Sequence, residues 1–155
     1  MILEDDCEFF NIPQITLENM KNFITNEDYD AFFLHNISCK YITPYLANKY
    51  IKRKIINNFD TNRFKIINKY TSIQIIIGTS LTHCIIYSKK YISFLSKLKI
   101  PLKKNIVRNF DYFLQVLGKT YNYYATDKNY STQFQSFSDI TFTNNKKGYH
   151  ALDTV

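Results

Sequence analysis

The chain has 155 residues, 45% of them hydrophobic and 17% aromatic, with 20 Lys and Arg against 13 Asp and Glu for a formal net charge of +7. That length suits one domain burying roughly 70% of its unfolded surface, and the bulky apolar content excludes disorder throughout. The longest apolar run, Ile73 to Gly78, is interrupted by Gln74 and far too short to span a bilayer, so the protein is not transmembrane.

Residues 1–30 hold eight carboxylates (Glu4, Asp5, Asp6, Glu8, Glu18, Glu27, Asp28, Asp30) against Lys21 alone, a net of −7. The rest carries 19 Lys and Arg against five Asp, a net of +14, and a body with that excess attracts polyanions. The start MILEDDCEFF is acidic and lacks Arg, unlike a mitochondrial presequence or a secretory leader. Residues 16–36 read as one or two short helices, with Thr16 and Asn26 as N-caps. Their apolar residues are expected to dock the acidic stretch on a basic protein neighbour, or on Lys49, Lys52 and Arg53, with Phe32 and Phe33 as anchors.

Thr43-Pro44 starts a clearer helix, an N-cap followed by proline at the first helical position. Leu46, Ala47, Tyr50, Ile51 and Ile55 recur on one face, leaving Lys49, Lys52 and Arg53 on the other. Ile73 to Ile77 is β-branched and ended by Gly78, which predicts a strand. Ser80 can cap a helix from Leu81 to Leu98. A loop through Ile100-Pro101-Leu102 follows, then a strand from Tyr112 to Leu117 and a third within Tyr130 to Phe142. This predicts an α+β fold, a small sheet in strand–helix–strand–strand order (a ferredoxin-like fragment), preceded by a helical extension. The divisions are 1–70 for that extension (acidic 1–30, basic 43–70), 71–142 for the α+β domain and 143–155 for a tail.

No catalytic residue, metal site or cofactor emerges. His35, His83 and His150 are isolated, no metalloprotease or nucleophile-elbow motif occurs, and the lone Gly78 cannot form a phosphate-cradling loop. Cys7, Cys39 and Cys84 are odd in number and widely spaced, which points to a reducing compartment. The functional signal is basic. Lys89, Lys90, Lys97, Lys99, Lys103, Lys104 and Arg108 gather around a helix end and its loop, where lysines neutralise phosphates without reading bases. Lys119 adds a charge beside a polar-aromatic loop whose Tyr121 and Tyr123 can stack on unpaired bases.

From Ser72 onward the order of features resembles the small-subunit ribosomal protein S-ten family. The matching stations are Ile73 to Ile77, Leu81 to Leu98, Ile100-Pro101-Leu102 with Lys103 and Lys104, Tyr112 to Leu117, and Asn129-Tyr130-Ser131 before Phe134 to Ile140. A second likeness, of Leu46-Ala47, Ile100-Pro101-Leu102 and Phe110-Asp111-Tyr112, is to the carboxyl half of ribosomal protein S-three. Either resemblance implies a component of the small-subunit head, bound to ribosomal RNA and neighbouring ribosomal proteins, with no small-molecule substrate. Phe, Tyr, Ile, Asn, Lys and Met make up 82 residues, and their AT-rich codons point to an AT-biased genome. With the acidic start, that composition fits a gene inside a mitochondrial genome and a product in the matrix. The rival expectation is a helical host-interaction protein of an AT-rich large DNA virus, binding a protein partner through a groove.

Overall fold

The computed structural model describes residues 2–3, 7–34, 40–56, 59–79, 84–98, 110–133, 137–138 and 143–144. Its centre is a mixed sheet of four strands: Ala31–Phe33 (β3), Ile73–Ile76 (β4), Cys84–Tyr87 (β5) and Tyr123–Thr126 (β6). Their order is β5-β3-β6-β4, and Ile2–Leu3 (β1) adds two residues beside β5. Strand β3 runs antiparallel to β5 and parallel to β6, with Phe32 opposite Ile86 on one side and Tyr124 on the other. Strand β4 pairs antiparallel with β6, Ile75 opposite Tyr124. Outside this sheet, Cys7–Phe9 (β2) pairs with Ser131–Gln133 (β7), and Phe137–Ser138 (β8) with Thr143–Asn144 (β9).

Five helices are present among the described residues: Gln14–Asn26 (α1), Pro44–Lys52 (α2), Asn62–Ile67 (α3), Lys89–Leu95 (α4) and Phe110–Leu117 (α5). Alternation along the strands assigns them to two layers. Phe32, Leu34, Ile73, Ile75, Ile77, Cys84 and Tyr124 share one core with Met20 and Phe23 of α1 and Ala47 of α2. Ala31, Phe33, Ile76, Ile85, Tyr87, Tyr123 and Ala125 share the other with Tyr91 of α4 and Leu114 of α5. Both faces of β3 are therefore covered, and every residue from Ala31 to Leu34 is buried.

The fold is α+β, as the sequence predicts, but its elements fall differently. Phe32 and Phe33 are not helical anchors. They form the central strand and are 0% exposed, because an unbroken apolar run suits a strand buried on both faces. The division at residue 70 consequently cuts through one sheet, since β3 lies between β5 and β6. Within the predicted helix from Leu81 to Leu98 the described residues form strand β5 and then helix α4, whose cap Ser88 accepts from Tyr91 N at 3.2 Å, while Ser80 to His83 lie outside the described residues. Tyr112 to Leu117 lies in helix α5, and the loop expected around Tyr121 to Tyr124 contains strand β6. Among the described residues of 71–133 the order is therefore β4, β5, α4, α5, β6, β7, in place of strand–helix–strand–strand. Thr16 is no cap but a buried residue of α1, which begins after Pro13, and Asn26 is that helix's last residue.

Candidate functional site

Helix α2 follows its sequence closely. Thr43 Oγ1 accepts from Leu46 N at 3.3 Å, and Pro44 occupies the first turn. Its other end carries Lys49 and Lys52 in the last turn, Arg53 at the cap and Lys54 beyond it. Ile55 N donates to Tyr50 O and Lys54 N to Ile51 O, both at 2.9 Å. These two bonds are a Schellman closure, which requires a left-handed residue, and Lys54 supplies it at φ 54°. Glycine usually stands at that position. Here the turn presents a cation and brings Ile55 back over Tyr50.

The result is an exposed basic end. Lys52, Arg53 and Lys54 are exposed, Lys49 is half-buried, and none of the four makes an ion pair among the described residues. No Asp or Glu occurs from residue 31 to 59. Helix carbonyls at this end favour a neighbouring cation by about 0.3–1 kcal/mol.

Beside this end lies a cleft of about 350 Å³, lined by Tyr50 and Ile55, by Gln115 and Val116 of α5, and by Ile77 and Gly78 at the end of β4. Lys40 and Lys119 complete the lining. Lys40 is pinned to the end of β4 by two backbone bonds of 2.9 Å, Lys40 N to Gly78 O and Ile77 N to Lys40 O. Two glycines let α5 approach the same strand. A Cβ on Gly78, at φ 152°, would lie 3.1 Å from Gln115 Cα, and one on Gly118 would lie 2.8 Å from Ile77 O. No carboxylate lines this cleft among the described residues.

The acidic residues meet other bases. Glu27 pairs with Lys69 at 3.0 Å, and Asp28 and Asp30 pair with Lys90 at 2.6 and 3.4 Å. The expected docking of this stretch on Lys49, Lys52 and Arg53 is therefore corrected for Glu27, Asp28 and Asp30; Glu4, Asp5 and Asp6 lie outside the described residues. Lys90 is likewise engaged by carboxylates rather than presented to phosphates. Lys89 and Lys97 are exposed at the two ends of α4, away from the α2 residues in the fold's other layer. Lys99, Lys103, Lys104 and Arg108 lie outside the described residues, as do Cys39 and the three histidines.

Tyr123 does not stack on a ligand. It is 0% exposed, its hydroxyl bonds to that of Tyr91, and burial pushes both phenols above their usual range. Tyr121 is half-buried against Tyr91 and Phe94, with ring centroids 5.0 and 4.9 Å apart. Arg63 is a core cation, 4% exposed. Its Nη2 donates to Tyr123 O at 2.8 Å and its Nε to Tyr124 Oη at 3.2 Å, while its plane lies over the Phe59 and Tyr124 rings. Burial lowers its pKa, and the neighbouring tyrosine opposes that shift. Among the described residues no three His, Cys, Asp or Glu side chains gather to hold a metal ion, and no helix is long and apolar enough to cross a membrane.

The sequence points to Lys49, Lys52 and Arg53 as protein contacts and to Lys119 as an RNA contact, and it does not single out Lys40, Lys54, Tyr50 or Gln115, which the structure sets on the α2 end or the cleft. The carboxylate-free run from 31 to 59 was the available signal for Lys40 and Lys54. Comparison with protein-family models, curated proteins and solved structures finds no match for this chain.

Proposed function

We propose that this chain is an RNA-binding component of a ribonucleoprotein particle, gripping phosphates through the basic end of α2 and meeting protein neighbours elsewhere. The observation that carries this reading is the exposed cluster of Lys49, Lys52, Arg53 and Lys54, which has no carboxylate partner among the described residues. Four cations on one helix end form a phosphate-binding surface, and binding to it releases counterions. Glu27, Asp28 and Asp30 are paired with Lys69 and Lys90, so these three do not quench that surface.

The particle we propose is the head of a mitochondrial small ribosomal subunit, with a structural role and no catalysis. Support for this finer assignment is the AT-driven composition and the net positive charge of residues 31–155; of the S-ten element order only the strand at Ile73–Ile76 stands, since Tyr112 to Leu117 is helical and Cys84–Tyr87 is extended. No specific observation favours the viral host-interaction reading, which calls for a helical bundle where this chain builds a sheet.

The test is the salt dependence of RNA binding. Each lost phosphate contact lowers the slope of log K against log salt by about 0.7–0.9, so alanine at all four positions is expected to lower it by roughly three units. An unchanged slope overturns the assignment of phosphates to α2. Sedimentation of the native protein with small subunits after a high-salt wash tests the assembly, and a protein found only in the free fraction overturns it.

A further inference from the structure

The cleft beside α2 differs in kind from the basic surface around it, because it joins charge to ring and aliphatic contact. Lys40 and Lys119 offer two cations, Gln115 an amide that both donates and accepts, and Tyr50 with Ile55 and Val116 an apolar wall. We propose that it takes one unpaired nucleotide, its phosphate held between Lys40 and Lys119, its base against Tyr50 and its base edge within reach of Gln115.

Three observations converge on that occupant. About 350 Å³ lies at the small end of ligand sites, which run from roughly 300 to 1,000 Å³, so the cleft suits one nucleotide and not a helix or a peptide strand. Its charges are all positive among the described residues, as an anion requires. Its walls are fixed in advance: the Schellman closure sets Tyr50 and Ile55, paired backbone bonds set Lys40, and the close approach at Gly78 and Gly118 sets α5. A preformed wall loses little entropy on binding. The same chemistry serves a free nucleoside monophosphate or a nucleotide splayed from an RNA strand. The second source rests on the RNA-binding function proposed above, and the first does not.

The experiment follows backbone amide signals of the full chain by NMR during titration with uridine monophosphate, uridine, orthophosphate and a single-stranded oligouridylate. Expected are shifts of Gly78, Gln115 and Lys119 with the monophosphate, the oligouridylate or both, at concentrations about tenfold below those needed with uridine or orthophosphate alone. Lys119→Ala removes one charged contact and is expected to weaken binding about tenfold. Tyr50→Leu keeps apolar bulk but removes the ring, and is expected to weaken binding at least fivefold. Because Tyr50 also packs on the core, the exposed Lys119 provides a variant that does not depend on folding.

A response to the monophosphate supports a free ligand, and a response to the oligouridylate alone supports a strand-borne one. Shifts caused equally by orthophosphate, or by no probe, overturn the proposal. RNA affinity lost with the four α2 cations but untouched by both cleft variants also overturns it, while leaving the proposed function standing. Nucleotide binding in the cleft with no RNA binding at the α2 cations has the opposite meaning.

Discussion

Lys54 shows how one residue can set fold against function. A non-glycine residue in the left-handed region costs roughly 1–2 kcal/mol, and Lys54 adopts it at φ 54° to close α2. Glycine would relieve that strain while adding roughly 0.5–1 kcal/mol of unfolded-chain entropy. Lys54→Gly is therefore expected to raise stability by about 0.5 kcal/mol in denaturant titration and to lower the RNA salt slope by about one unit. Stability and binding moving in opposite directions is the signature of a side chain kept for its charge. A variant that loses stability would show that the turn is relaxed with lysine. Arg63 is the contrasting case, a cation whose donors face Tyr123 O and Tyr124 Oη and whose exposure is 4%. Its charge belongs to the core and adds little to the surface field.

Elements differ in how plainly their sequences announce them. Helix α2 was legible because Thr43, Pro44 and a 3.6-residue apolar repeat agree, and β4 because a β-branched run of four isoleucines, broken only by Gln74, ends at a glycine. Strand β5 was not, since Cys84, Ile85, Tyr91, Ile92 and Leu95 also fit a helical spacing, and only pairing with β3 makes the first half extended. Phe32-Phe33 and Tyr123-Tyr124 gave no alternation because both faces of their strands are buried. Of the site, the charges on α2 were legible and the cleft was not. It depends on α5, misread as a strand, reaching the end of β4 some forty residues away in sequence. That contact is narrow. A methyl group on Gly118 would meet Ile77 O at 2.8 Å and Tyr123 Cδ2 at 2.9 Å. Gly118→Ala is expected to push α5 from the sheet, costing roughly 1–3 kcal/mol and weakening nucleotide binding more than binding at the α2 cations. Equal loss at both sites would mean the substitution unfolds the chain globally instead of reshaping the cleft.

At the scale of the molecule, two helical layers enclose a sheet lined with phenols, and this arrangement makes stability sensitive to alkali. Burial raises the pKa of Tyr91, Tyr123 and Tyr124, and raises the Cys84 thiol to about 12, with Cys7 adding to the shift. All four are neutral when protonated, so the native state holds their protons more tightly than the unfolded chain. Their folded values lie above the ordinary values, near 8.5 for cysteine and 10 for tyrosine. Stability is therefore intact below that range and falls as pH climbs through it. The loss begins with Cys84, steepens above about pH 10, and approaches 1.4 kcal/mol per pH unit for each proton the unfolded chain releases first. The loss is followed by tyrosinate absorbance alongside far-UV circular dichroism. Tyr91, Tyr123 and Tyr124 are expected to ionise only as the dichroism collapses. Ionisation of every tyrosine in a still-folded chain would refute the placement of these phenols between the sheet and its helices.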